Sequence, residues 1–177
     1  MIKMTDRYLS PYVYCSFAAF HNVKYKDNTV KLARLIKNTL PEFRKVLNLP
    51  RSVAFRIAPF KSGTRRGSYS NEHKMVNLSC RLTGREAIEV IAHELIHAEQ
   101  YHTKRLKMTF DKSKGWVHCW YGEQGSKGTT YRAYRNQPWE VEAFGRQAEI
   151  ADLVIAGLRR KNEKIKSYCQ GLENAQV

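Results

Sequence analysis

No stretch of the 177-residue sequence approaches the roughly 20 apolar residues needed to cross a bilayer. The opening run, MIKMTDRYLSPYVYCSFAAF, is basic and then apolar, but it is aromatic and lacks a small-residue cleavage site. It therefore does not read as a signal peptide. These absences predict a cytoplasmic protein with no membrane partner. Cysteine is sparse: Cys15, Cys80, Cys119 and Cys169 lie far apart with no CxxC pair. That argues against a cysteine-built zinc site and reads as reduced thiols. Repeats, low-complexity tracts and a Pro/Gly linker are all missing, so one domain is expected over 1–177. Its core should lie over about 52–165, behind a helical N-terminal region over 1–50. Acidic residues are outnumbered, 16 Asp and Glu against 31 Lys and Arg, giving a formal charge of +15. The excess favours acidic partners, DNA or DNA-bound protein above all, although a solubilising surface or electrostatic steering would need the same charge.

The apolar pattern supplies the elements. NTVKLARLIKNTLPEFRKVLNL has helical spacing and predicts a helix bent or broken at Pro41. Ser52–Phe60 alternates as a strand, KSGTRRG is a basic loop, and SYSNEHKMVNLSC is a second strand with room for a turn inside it. Thr83 and Glu86 form a Thr-x-x-Glu capping box, so a helix should start near Thr83 and run through TGREAIEVIAHELIHAEQYHTKRLKM. GWVHCWYGEQGSKGTTYRAYRN reads as a β-hairpin around a Gly-rich turn. A long last helix follows from Pro138. Helix, strands, helix, hairpin, helix is an α+β order.

The third element carries chemistry. His93, Glu94 and His97 form an HExxH motif. Residues i and i+4 share a helix face, so both imidazoles can reach one ion, while Glu94, about 100° round the helix, is turned toward a bound water. On a helical wheel, Ile88, Ile91, Leu95 and Ala98 cluster opposite His93, and Val90 lies with the histidines. The helix thus has a core side and a histidine side. His102 falls with the core and Glu99 at its edge as a solvated residue. The extended HExxHxxGxxH pattern is not met, because Gln100 and Thr103 hold its last two positions.

A catalytic zinc ion takes three protein ligands and a water. His118, Glu123, Glu140 and Glu142 are the downstream candidates. Glu123 sits in the expected hairpin turn, and His118 on an aromatic strand face with Trp116 and Trp120. On the last helix Glu140 shares the apolar face of Phe144, Ala148, Ala151, Val154, Ile155 and Leu158, whereas Glu142 lies with Arg146, Glu149 and Arg160. A carboxylate on a buried face must be paired or bind metal. Glu140 is therefore the expected third ligand, with a buried ion pair as the other reading.

HExxH followed by a Glu on a later helix, here in EVEA with Glu140 and Ala143, resembles the gluzincin zinc metallopeptidases. The combination of LSCRLTGREAIEVIAHELIHAEQ, WYG and PWEVEA resembles, over roughly 76–148, small SprT-like metallopeptidases often encoded by bacteriophages. The resemblance implies a zincin-like domain with a short sheet, an HExxH helix, a hairpin insertion and a C-terminal helix bearing the third ligand. It implies one Zn2+ on His93, His97 and Glu140, Glu94 as general base, and a protein or peptide substrate, met in the host cytoplasm if the chain is phage-encoded. It also implies that the strand before the motif helix, HKMVNLSC, is an edge that pairs with substrate. Tyr131 and Tyr134 are candidate oxyanion donors, with packing an equal reading, and His118 is a weaker one. The competing function is a metal-containing, nucleic-acid-associated binding protein without protease activity, for example one that counters host defence.

Overall fold

The structure is a computed structural model. It describes residues 7–10, 13–16, 23–50, 52–60, 65–125 and 130–174, with side chains described except at 7–10, 23 and 164–174. Part of the basic loop (61–64), the Gly-rich turn (126–129) and the basic segment from 164 onward fall outside the described residues or side chains.

Among the described residues, four helices and two small sheets make an α+β architecture. Strands β1 (Arg7–Ser10) and β2 (Val13–Cys15) precede helix α1 (Val23–Leu47), so the N-terminal region is not purely helical as expected. Val13 and Cys15 are buried on either side of half-buried Tyr14, and β2 pairs in parallel with β3 (Ala54–Ala58). Helix α1 buries Leu32, Ile36, Leu40, Phe43 and Leu47, the 3.6-residue spacing that drives its formation. It continues unbroken through Pro41. Pro41 and Lys37, whose carbonyl loses its helical partner there, are both exposed, so water can replace the missing bond.

The larger sheet has the order β1-β2-β3-β5-β4, where β4 is Gly67–Ser70 and β5 is Met75–Ser79. The central strands β2, β3 and β5 are parallel, and β1 and β4 flank them antiparallel. Phe55, Ile57, Val76 and Leu78 on the middle strands are fully buried, as parallel strands covered by helices require. SYSNEHKMVNLSC thus forms two strands around a turn at 71–74, and β4, not β5, is the edge. The expected substrate-pairing edge, HKMVNLSC, is an inner strand with both sides occupied.

Helix α2 (Gly84–His102) begins after Thr83 at the expected place. The capping box does not close: the Thr83 side chain makes no cap bond, and Glu86 instead pairs with Arg66 at 3.2 Å. The helix stops earlier than its pattern suggests, and Leu106–Asp111 becomes strand β6. Strand β6 pairs antiparallel with β7 (Gly115–Trp120), which also pairs with the short β8 (Glu123–Gln124). The hairpin therefore involves a different first strand from the one expected. TYRAYR is not its second strand but helix α3 (Tyr131–Arg135), capped by Thr130 Oγ1 accepting from the Ala133 amide at 3.1 Å. Helix α4 (Pro138–Asn174) has Pro138 as its first residue, where a missing amide costs nothing. It packs along α2 and α1. No described helix is long and apolar enough to cross a membrane.

Candidate metal centre and its cleft

Helix α2 buries Ile88, Ile91, Leu95 and Ala98 against the core and turns His93 and His97 toward α4, where Glu140 meets them. Nε2 of His93 lies 3.2 Å from Nε2 of His97 and 3.4 Å from Oε2 of Glu140, and Nε2 of His97 lies 3.3 Å from Oε1 of Glu140. A small divalent ion bound tetrahedrally at about 2.0–2.1 Å separates its donors by about 3.3 Å, so the triangle has the edge length such an ion needs. All three side chains are buried and form the one group among the described residues with metal-ligating geometry. Glu140 Oε2 is buried and accepts no hydrogen bond. A buried carboxylate oxygen without a donor is costly, and a cation at the centre of the triangle would satisfy it.

Two glutamines aim the imidazoles. Gln100 Nε2 donates to the Trp139 carbonyl at 3.0 Å and to Glu142 Oε2 at 3.1 Å. Both partners are acceptors only, which fixes the amide orientation and leaves Oε1 to accept from His97 Nδ1 at 2.8 Å. His97 therefore carries its proton on Nδ1 and presents the Nε2 lone pair to the centre. Gln147 Oε1, 3.0 Å from His93 Nδ1, does the same for the first ligand. Burial pushes the Glu140 carboxyl up, but the imidazoles of His93 and His97 and the Tyr134 hydroxyl around it outweigh burial and hold the group at about 2. Glu140 is thus a carboxylate, the form that can bind a cation.

Glu94 is buried beside the triad. Burial raises its pKa above the ordinary value, against the lowering influence of His97 and His93. A carboxylate of raised basicity is a better proton acceptor. Gly67 on β4 leaves room for it, since a Cβ there would stand 2.6 Å from Glu94 Oε1. Burial of the Tyr134 hydroxyl and the neighbouring Glu140 carboxylate push the phenol far above its usual value, so it stays protonated. Tyr131 stacks on Tyr134 with centroids 6.5 Å apart and is 73% exposed, a rim residue.

The triad lies in a cleft of about 1300 Å³. One wall is the edge strand β4 with Arg65 and Arg66. Trp116 and His118 of β7, Tyr131 and Tyr134 of α3, and Val90, Phe144 and Trp139 of the helices also line the cleft. His118 stacks on Trp139 at 5.3 Å, and its Nδ1 stands 3.4 Å from the Tyr101 hydroxyl. Burial lowers its pKa. It lines the cleft but is not part of the metal-ligating group, and Glu123 is exposed on β8.

Three expectations need correction. Glu99 is not solvated: it accepts from Arg105 at 2.9 Å and Arg146 at 2.8 Å, because the turn after α2 brings Arg105 back and α4 sets Arg146 opposite. His102, expected on the core side, is exposed because it is the last residue of α2, beyond the packed turns. Ala148 is exposed too: the buried face of α4 centres on Ala143, Ile150, Ala151 and Val154, rotated from the expected line but still taking in Glu140. Glu142 is held by Arg105 at 2.6 Å and joins Glu99 and Arg146 in one ionic group beside the cleft. Sequence reasoning missed Gln100, Gln147 and Arg65. Gln147 left a trace there, seven residues after Glu140 and so on the same helix face, and Arg65 lay in the basic loop. No protein-family model, curated protein or solved structure matches this chain, so its function is argued from this site.

Proposed function

We propose that the protein is a zinc-dependent metallopeptidase of the gluzincin type, similar to the SprT-like group, with His93, His97 and Glu140 as ligands and Glu94 as general base. The observation that carries this reading is a buried general-base candidate, Glu94, next to a three-donor centre that lines an open cleft. Two histidines and a glutamate are a donor set suited to zinc and leave its fourth position free. A zinc ion held there would supply Lewis acidity toward a water and a peptide carbonyl. Glu94 would take a proton from a water as its oxygen adds to the carbonyl carbon, and pass that proton to the amine nitrogen as the C–N bond breaks. Gln100 and Gln147 hold the imidazoles in one tautomer throughout. The outer edge of β4, beside which no described strand lies, could pair with an extended polypeptide, which would lie as a further strand beside Glu94. Tyr134, protonated beside Glu140, is the donor a developing oxyanion would draw on, with Tyr131 stacked on it.

The test compares wild type with Glu94→Gln on an unfolded proteome and on DNA-bound protein. Glu94→Gln should retain zinc and lose cleavage by about 100-fold or more. Zinc-loaded wild type that cleaves nothing, while binding DNA with a steep salt dependence, would replace the peptidase with the nucleic-acid-binding reading.

A further inference from the structure

The β6–β7 hairpin carries apolar surface that the proposed chemistry does not use. Its register sets Leu106 opposite Trp120, Met108 opposite His118 and Phe110 opposite Trp116. Directly opposite residues share a face, so these six side chains form one continuous surface. The face is graded. Leu106 at its inner end is buried and His118 at its middle lines the cleft. Phe110 and Trp116 at the outer end are each 64% exposed, with ring centroids 5.6 Å apart. Nothing in the described fold covers that end.

The platform is rigid before anything binds. At the hairpin tip, Asp111 Oδ1 accepts from the Ser113 and Lys114 amides at 2.8 and 2.9 Å, and its Oδ2 accepts from Gln124 Nε2 at 3.1 Å. This ties the tip to β8, so a ligand that buries the rings need not also order the loop.

The chemistry of the face selects its occupant. Among the described residues lining the cleft the carboxylates are Glu140, in the metal centre, and Glu94, beside it, both buried and both used by the proposed chemistry, so neither is a site for a basic side chain. Alternation sends Lys107 and Thr109 to the opposite side of β6, and the guanidinium over this face, Arg105 at 5.5 Å from the Trp120 ring, is already held by Glu99 and Glu142 and is not free for a phosphate backbone. The outer edge of β4 borders the same cleft and has no further strand beside it among the described residues, an arrangement that suits an extended polypeptide.

We propose that this aromatic face is the side-chain wall of the cleft, selecting extended polypeptides that carry a large apolar residue near the bond cleaved. The inference rests on the peptidase reading above. The zinc-loaded protein and a Phe110→Ser/Trp116→Ser double variant would be given a proteome-derived peptide library. Flanking Phe, Leu, Met or Trp should be enriched about tenfold over Ser or Lys at one position by wild type. In the double variant the enrichment should fall to within about twofold, with zinc content and Tm unchanged. Absence of enrichment in wild type, or equal enrichment in the variant, overturns the inference while leaving the peptidase reading intact.

A second arm separates the two readings. Zinc-loaded Glu94→Gln is titrated with labelled acidic Gly/Ser peptides, each holding one Phe, Leu, Ser or Lys. If wild type cleaves nothing, tighter binding of the Phe and Leu peptides that requires Trp116 keeps the wall and discards the peptidase. Equal binding of all four overturns the wall, as does a labelled single-stranded oligonucleotide that binds more tightly than any peptide and depends on Trp116.

Discussion

Gln100 uses both ends of its amide: one is anchored by the Trp139 carbonyl and Glu142, the other holds the Nδ1 proton of His97. Gln100→Ala should therefore leave the ligands in place but weaken metal affinity by about 10–100-fold, measured by competition with a chromogenic chelator. Unchanged affinity would show that the imidazole is oriented by packing alone. At this scale the sequence was partly legible. The i,i+4 spacing announced His93 and His97, and the apolar neighbours of Glu140 singled it out from Glu142. Gln100 gave no such signal, because its role depends on a carbonyl and a carboxylate supplied by a helix some forty residues away. Arg65 was visible only as half of a basic pair. Its place in the cleft wall follows from β4 being an edge, which local sequence does not encode.

Helices α2 and α4 supply all three members of the triad, and the ionic group of Glu99, Glu142, Arg105 and Arg146 ties them together alongside it. Burial raises the Glu142 pKa, but hydrogen bonds from Arg105, Arg146 and Gln100 bring it below the ordinary 4.5. A depressed folded-state value means that its stabilisation is complete above about pH 4.5 and is lost as pH falls through the folded pKa. Glu142→Gln should cost on the order of 1–3 kcal/mol at pH 7. Its deficit should shrink toward zero as pH drops below 4.5, read from urea midpoints at several pH values. A deficit that stays constant into acid would mean that the charge of Glu142 is not what holds the helices. Element boundaries failed where the punctuation was unusual. Helix α2 ends at a turn in which Lys104 has φ +62°, a conformation signalled by glycine or asparagine more often than by lysine. The helical pattern therefore ran on into β6. Strands β1 and β2 escaped notice because each is short and acquires its meaning only by pairing across the sheet.

For the molecule as a whole, a bound ion would join α2 to α4 across the 43 positions from His97 to Glu140, enclosing the second sheet and α3. An ion that binds the folded state alone stabilises it by about 2.7 kcal/mol at 100 times its Kd. Chelation should then lower Tm by about 5–10 °C for a chain of this size, with recovery on adding zinc back. An unchanged Tm in calorimetry, with the metal shown to be gone, would mean that the helices hold the triad without help. The α+β class and the last helix were legible because strong periodicity fixes an element's type. The larger sheet's order was not, because it brings together strands separated by helices.

The enclosed segment, 103–137, starts and ends beside the two ligand-bearing helices and makes a sheet of its own. Residues that hold the ion and residues that meet the outer part of a ligand are thereby encoded in separable stretches of chain. Mutational drift in the hairpin can change what the cleft accepts while the catalytic apparatus is inherited intact. Exchanging this segment between related chains should then transfer preference without rebuilding the chemistry.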